Sequence, residues 1–344
     1  VSLDKDLTEL DSESNLEIAE LRKALQRAQK DLQKAKQRTE ELVEVTIQSC
    51  HDAILAHEKF PEIDKPQVAK GSKKKPEVAL WHMTDWQGAK RTVSYDSKVM
   101  RKRVLKFVEK AVRITDIQRA DHPVRDLTIM FGGDMVEGLF NFPTQPFEID
   151  ATLFEQYVTV SQLLVEVVRY ALANYEKVNV VAEWGNHGRI GSKRDNVPRS
   201  DNFDRMCYEL ARQLLSGEKR LIWQECPDDI QRVEIGNYKA LLIHGDEVGR
   251  NGFASPSGIV QHVNRWRSGA YPWDFRDVYI GHYHTHAEWP MANGQGSVYQ
   301  TGSTESDNRY AGVMLAASAT PSQRLHFIDP TQGRVTAAYK IWLD

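Results

Sequence analysis

From residue 78 onward, short apolar runs alternate with longer segments of helical periodicity. Five runs read as strands: "VALWHMT" (78–84), "LTIMFGG" (127–133), "VNVVAEW" (178–184), "KALLIHG" (239–245) and "DVYIGH" (277–282). Each is rich in Val, Ile, Leu or aromatic residues and is followed by a polar or Gly-containing turn, the signature of a buried strand. The stretches between them, about 96–119, 152–175, 201–215 and 258–267, place apolar residues at helical spacing and predict helices. The last segment, "RLHFIDPTQGRVTAAYKIWLD", predicts two strands joined by a Pro/Gly turn. Such alternation predicts an α/β domain whose sheets are covered by helices.

The first 60 residues follow another rule. Between Glu17 and Glu44 there is no Gly or Pro, and Ile18, Leu21, Leu25, Ala28, Leu32, Ala35, Thr39 and Leu42 keep the 3–4 spacing of a heptad seam. Region 1–60 is thus expected to be a long helix. It is either a coiled coil that makes a homo-oligomer or a helix folded back onto its own domain. Residues 61–77, "PEIDKPQVAKGSKKKPE", mix Pro, Gly and Lys without periodicity and read as a linker or exposed loop ahead of a domain at 78–344. The run Lys73, Lys74, Lys75 is either a phosphate contact or a solvated charged loop.

Composition narrows the classes. Hydrophobic residues make up 41% and charged residues 27%, as in soluble globular chains. The net charge of −3 provides no global basic field, so any nucleic-acid contact must come from local clusters. The widely spaced Cys50, Cys207 and Cys226 predict reduced thiols and a cytoplasmic setting. No apolar stretch approaches the roughly 18 residues of a membrane span, and no membrane partner is expected.

The chemistry gathers at the strand ends. The five strands close on Asp85-Trp-Gln87, Gly132-Gly-Asp134, Gly185-Asn-His187, His244-Gly-Asp246 and Gly281-His-Tyr-His284. Side chains from several strands converge at the carboxyl ends of such sheets, and glycine lets the backbone turn sharply there. Carboxylates, imidazoles and amides drawn together form a mixed N/O donor set for divalent transition metals.

This ordered series, D-x-Q, GD, GNH, H and GHxH, resembles the calcineurin-like metallophosphoesterases over about residues 78–309. The resemblance implies two packed mixed β-sheets flanked by helices, a metallophosphoesterase-like sandwich with metals at the strand ends. It assigns Asp85 and His284 to one ion, Asn186, His244 and His282 to a second, and Asp134 to a bridge between them. His187 becomes the histidine beside the scissile phosphate, stabilising charge or protonating the leaving group. The implied cofactors are two divalent ions, Mn²⁺ foremost, with Fe, Zn, Ni or Co as alternatives. Two cations about 3.5–4 Å apart stabilise both the attacking and the leaving oxygen of an in-line displacement.

Two positions depart from the family pattern. Gln87 stands where histidine is usual, and either ligates through its amide oxygen or hydrogen-bonds a metal-bound water. Gly188 stands where an acid usually follows GNH, so the group that orients His187 must come from elsewhere, such as Asp201. His286 has no counterpart and is expected to lie outside the ligand set.

Substrate contacts are expected from Arg189, Lys193, Arg194 and Arg199 in "GRIGSKRDNVPR", and from Arg265 in "NRWRSG". These residues either grip a polyanion or are ordinary surface charge. The segment "GLFNFPTQPFEID" (138–150) is either a substrate-facing flap or core packing. The lead expectation is a phosphodiesterase acting on nucleic acid, DNA foremost. It looks like the nuclease branch that includes double-strand-break repair exonucleases, and like bacteriophage members of the superfamily. A partner ATPase is not legible in the sequence. The alternatives are a small-molecule phosphatase or cyclic-nucleotide phosphodiesterase, and a non-catalytic assembly subunit. Sedimentation of the chain with and without residues 1–60 tests the coiled coil: removal should lower the oligomeric state, whereas no change means a helix docked on its own domain.

Overall fold

The computed structural model describes residues 23, 25–27, 30, 63–66, 74–191, 198–225, 228–248, 255–307 and 320–344. The chain divides into two units, Val1–Glu58 and Lys59–Asp344. Of the heptad region only five helical, exposed positions between 23 and 30 are described, so the coiled coil lies outside the described residues. Lys73, Lys193, Arg194, Cys50 and Cys226 lie outside them as well.

The second unit holds two mixed sheets. In the first, β1 (Glu77–Met83), β2 (Val124–Gly132), β3 (Lys177–Glu183) and β4 (Leu221–Trp223) run parallel. The antiparallel strands β10 (Ser322–Asp329) and β11 (Arg334–Trp342) complete it, in the order β11-β10-β1-β2-β3-β4. The second sheet is formed by β5 (Gln231–Ile235), β6 (Tyr238–Leu242), β7 (Asp277–Ile280), β8 (Ala287–Pro290) and β9 (Ser297–Gln300), in the order β5-β6-β7-β9-β8. Within it β6, β7 and β9 are parallel.

Apolar side chains from both sheets form one buried layer. Leu80, Met130, Val181 and Ile328 from the first pack with Val233, Tyr238, Ala240, Leu242, Tyr279 and Tyr299 from the second. Helices α1 (Ser97–Arg119), α2 (Leu153–Asn174) and α3 (Phe203–Leu214) belong with the first sheet. Phe107 of α1 and Tyr175 at the end of α2 meet Trp81 of β1 edge-on, each with ring centroids 5.8 Å away. Helix α4 (Pro256–Arg265) inserts Ile259 and Val263 among Leu241, Ile243, Val278, Ile280 and Val298 of the second sheet. The architecture is therefore two packed mixed sheets flanked by helices, as the motif series implied.

Local signals set the helix starts. Asp96 caps α1 by accepting from the Val99 N–H at 2.8 Å, and Thr152 with Glu155 forms a capping box on α2. All four expected helices and all seven expected strands, the last two included, are present. The alternation did not reveal β4, β5, β8 and β9, which are only three to five residues long. Strand β8, at a sheet edge, alternates intermediate and exposed positions and so carries no apolar run. The stretch read as a linker is partly fastened to the domain. The Ile63 N–H donates to Glu218 at 3.1 Å, and Arg220 donates to the Ile63 carbonyl at 2.6 Å. Among the described residues no helix is long and apolar enough to cross a membrane.

Trp81 is fully buried where sheet meets helices. Trp81→Ala should lower the unfolding free energy by about 3–5 kcal/mol, read from urea titration; a loss below about 1 kcal/mol would contradict a close-packed interface there.

Candidate metal centre

The loops after β1, β2, β3, β6 and β7 meet at one end of the sandwich. The Asp85 N–H donates to the Gly133 carbonyl at 3.0 Å and the Gln87 N–H to the Asp134 carbonyl at 2.9 Å, extending the β1–β2 pairing into the loops. The Gly281 N–H donates to the His244 carbonyl at 2.8 Å. The His282 N–H reaches across to the Asp85 carboxylate at 3.0 and 3.1 Å, joining the two sheets at the site. Asp85, Gln87, Asp134, His282 and His284 all have φ between 48° and 63°. This left-handed conformation is uncommon outside glycine and costs on the order of 1–3 kcal/mol per residue. It turns each side chain sharply off its strand. Two glycines make room: a Cβ at Gly185 would lie 2.0 Å from Asp134 Oδ1, and one at Gly281 would lie 2.3 Å from Asp85 Oδ2.

Asp134 is the hub. Its Oδ1 accepts from the His187 N–H at 2.8 Å, and its Oδ2 lies 3.1 Å from His244 Nε2 and 3.3 Å from Gln87 Nε2. His244 Nε2 also lies 3.1 Å from Asn186 Oδ1 and 3.2 Å from His282 Nδ1. The ligand atoms of Asp134, His244 and His282 are all within 4.8 Å of one another. Beside them, His284 Nε2 is 3.3 Å from Asp85 Oδ1 and 3.3 Å from Gln87 Nε2.

Outer partners fix which nitrogen faces inward. The far nitrogen of His244, Nδ1, lies 2.8 Å from the Gly132 carbonyl, which can only accept, so it is the N–H that donates there. The Nδ1 of His284 faces Glu305 at 3.1 Å in the same way. Both imidazoles thus turn Nε2 toward the cluster, the arrangement usual for metal-ligating histidines. Buried Asp204, in the first turn of α3, accepts from the N–H groups of Asp134 and Gly185 at 2.8 Å, Met135 at 3.0 Å and Val136 at 3.1 Å. It pins the second and third motif loops to each other.

The donor set fits divalent cations. Lone pairs from a carboxylate, an amide and two imidazoles crowd within about one ligand shell, and a positive charge must sit among them. In the metal-free protein protons fill that role. Burial would depress His244, yet the Asp134 carboxylate outweighs it and drives the imidazole well above its usual value. Burial likewise opposes His284, but Asp85 and Glu305 raise it to about 10. The Gln87 Oε1 atom is buried without a hydrogen-bond partner among the described residues, while its Nε2 faces Asp134 and His284, so ligation through oxygen would require the amide to turn over. Asp85, Gln87, Asp134 and His284 would hold one ion, and Asp134, Asn186, His244 and His282 the other.

His187 stands at the edge of this cluster, its Nε2 3.8 Å from Asp134 Oδ2. Its orienting acid is Glu137, whose Oε2 lies 3.1 Å from Nδ1, and not Asp201, which is exposed. Gly188 packs against Asn202, so the usual following acid has no room there: an added Cβ would lie 2.4 Å from Asn202 Oδ1. Lys90, buried, donates to the other oxygen of Glu137 at 3.1 Å. Burial depresses the His187 imidazole, but Asp134 and Glu137 prevail and raise it to about 9 in the metal-free protein. Sequence reasoning missed Glu137, Asp204, Glu305 and Lys90. Only Glu137, three residues after Asp134, carried a visible positional signal.

The expected substrate cations are placed differently. Arg189 donates to Asp246 at 2.6 Å, and Arg199 to Asp246 at 2.9 Å and Glu247 at 3.1 Å. Both guanidiniums therefore tie the third motif loop to the fourth, Arg189 with 11% and Arg199 with 34% of its side chain exposed. Arg265 ends α4, where the chain returns to the start of β7, and nearby Arg267 donates to the Gln295 carbonyl ahead of β9. Because β6, β7 and β9 are parallel, that is the sheet end opposite the ligand loops. His286 stays outside the cluster; burial, then Arg324 and Lys340, lowers it to about 3.

Each protonated ligand nitrogen must lose its proton before it can bind metal. Mn²⁺ affinity should therefore weaken progressively as pH falls below about 10, the value to which His284 is raised, with proton release on binding. Calorimetry in buffers of different ionisation enthalpy measures both, and pH-independent binding without proton release would contradict imidazole ligation.

No protein-family model matches the chain, and no curated protein does. Solved structures that align with it include Vps29 from Entamoeba histolytica complexed with zinc, at 12% identity and TM-score 0.34, covering 77% of this chain and 99% of that one. A hypothetical protein from Pyrococcus horikoshii aligns at 11% identity and TM-score 0.40, over 78% and 89% of the two chains. YfcE, a phosphoesterase from E. coli, aligns at 15% identity and TM-score 0.33, over 77% and 100%. The site is accordingly built from this chain's own residues. In its two-sheet fold and in the order of its strand-end motifs, the chain resembles the calcineurin-like metallophosphoesterases.

Proposed function

We propose that the protein is a metal-dependent phosphodiesterase acting on nucleic acid, DNA foremost. The observation that carries this is the convergence of buried Asp85, Gln87, Asp134, Asn186 and His244 with partly buried His282 and His284, His187 being held beside them. When bound, two divalent cations would acidify water and offset the charge that develops on a phosphoryl group in transfer.

The chain's own residues supply the rest. Asp134 Oδ2 lies beside both His244 and Gln87 while Oδ1 is held by the His187 N–H, so the carboxylate faces both groups of ligands, which suits it to bridging. His187, its Nδ1 turned to Glu137, presents Nε2 to the reacting group. From there it can deliver a proton to the departing oxygen as the P–O bond breaks. Glu137 fixes the tautomer and ring orientation, and Lys90 holds Glu137. Asp204 keeps Asp134 and Asn186 in register through backbone N–H bonds, so the loops need little reorganisation when substrate arrives. The nuclease assignment draws on the likeness of the motif series to the nuclease branch. Gln87, an amide in a position where the family has an imidazole, is the observation favouring a second reading, a non-catalytic assembly subunit.

With Mn²⁺ the purified protein should hydrolyse bis(p-nitrophenyl) phosphate, and EDTA should abolish the activity. Inactivity with Mn, Ni, Co, Fe and Zn alike would favour the non-catalytic reading. Asp134→Ala should remove metal and activity together. His187→Ala should retain both ions while losing about 10²–10⁴-fold in rate, and loss of metal from that variant would overturn the role given to His187. Single- and double-stranded DNA, RNA and cyclic dinucleotides assayed side by side test the substrate class; cleavage of the small substrates alone would rule out the nuclease assignment.

A further inference from the structure

The loop after β2 brings aromatic side chains to the edge of the site without burying them. Phe142 is 43% exposed, and its ring centroid lies 5.0 Å from that of His187. Phe147, in the same loop, is 87% exposed. Burying a Phe side chain usually stabilises a fold by about 1.5–3 kcal/mol. Phe142 forgoes part of that gain and leaves an apolar ring accessible beside His187.

The loop is firmly held. Gln145 is buried, and its Oε1 accepts from the N–H groups of Asn141 at 2.9 Å and Phe142 at 3.0 Å. Its amide nitrogen donates to the Glu137 carbonyl and lies 3.4 Å from His187 Nδ1. One side chain therefore positions both the Phe142 backbone and the loop that carries the acid orienting His187. The far end is fastened too. The Arg91 N–H donates to the Glu148 carbonyl at 2.8 Å, and Lys90 donates to the Glu148 carboxylate at 2.8 Å. Arg91 itself is exposed, so a cation sits where this loop rejoins the domain.

We propose that Phe142 is a stacking platform for an unpaired nucleobase next to the scissile phosphate, a role that rests on the phosphodiesterase function proposed above. Phe offers only an apolar face and no hydrogen-bonding group, so it accepts any base and reads no sequence. Base–aromatic stacking of this kind is worth about 1–3 kcal/mol per base. Bases inside a duplex already stack on their neighbours and present only their edges, so the face of Phe142 selects a strand that is single or frayed at the point of cleavage. The ring touches His187, the residue assigned to the leaving group, which places the stacked base within one nucleotide of the bond that breaks.

The test is binding without turnover, with Ca²⁺ in place of Mn²⁺. Fluorescence anisotropy compares a labelled oligothymidylate, an abasic strand of equal length and a duplex. Wild type should bind the oligothymidylate more tightly than either other ligand. Phe142→Ala should weaken that binding about tenfold, toward the abasic value, while leaving the abasic affinity unchanged; Phe142→Trp should retain the preference. Equal binding of the base-bearing and abasic strands by wild type, an equal loss on both in Phe142→Ala, or no binding of any strand would overturn the proposal. Hydrolysis of bis(p-nitrophenyl) phosphate by wild type, measured separately, shows whether the phosphodiesterase function itself holds.

Discussion

One buried carboxylate governs the site. Asp134 is 1% exposed, and its oxygens are shared by the His187 backbone, the His244 ring and the Gln87 amide. A buried charge is tolerated only when opposite charge and hydrogen bonds surround it. Here that requirement draws groups from four separate loops to one point. Protons on His244 and His187 satisfy it in the metal-free protein, and cations would satisfy it better, because one cation serves several lone pairs at once. The same constraint explains the tight glycines at 185 and 281, which admit the carboxylates, and the placement of Asp204, which organises the backbone around them.

Five site residues in left-handed backbone conformation are strain that the surrounding structure must over-determine. The packed layer between the sheets provides the rigidity. Leu80, Met130 and Val181 lock the first three strands against Leu242 and Tyr279 of the second sheet, a few residues before each ligand loop begins. Stability is thus concentrated in the sandwich and spent at its edge, where the ligands leave their strands. The Arg189–Asp246–Arg199 cluster serves the same end, tying two ligand loops together.

Much of this was legible in the chain. Apolar runs closing on short polar turns, most of them with Gly, pointed to every candidate ligand, because a strand buried on both faces must be apolar and its functional side chain must follow its end. The two-sheet architecture followed from that order together with the family resemblance. The outer partners were not legible. Glu305 follows a short strand with no strong apolar run, and Asp204 opens a helix whose start looks like any capped helix. The ion pair of Arg189 was hidden for a related reason: its carboxylate partner lies 57 positions away, in the fourth motif, and local charge cannot reveal it. The aromatic loop was ambiguous in sequence because exposure depends on what packs over it, which only the fold decides.

The most direct test of the central claim is anomalous scattering from crystals grown with Mn²⁺. Two peaks about 3.5–4 Å apart are predicted, one among Asp85, Gln87, Asp134 and His284 and the other among Asp134, Asn186, His244 and His282. An absence of peaks at saturating metal, or metal bound away from Asp134, would contradict the account.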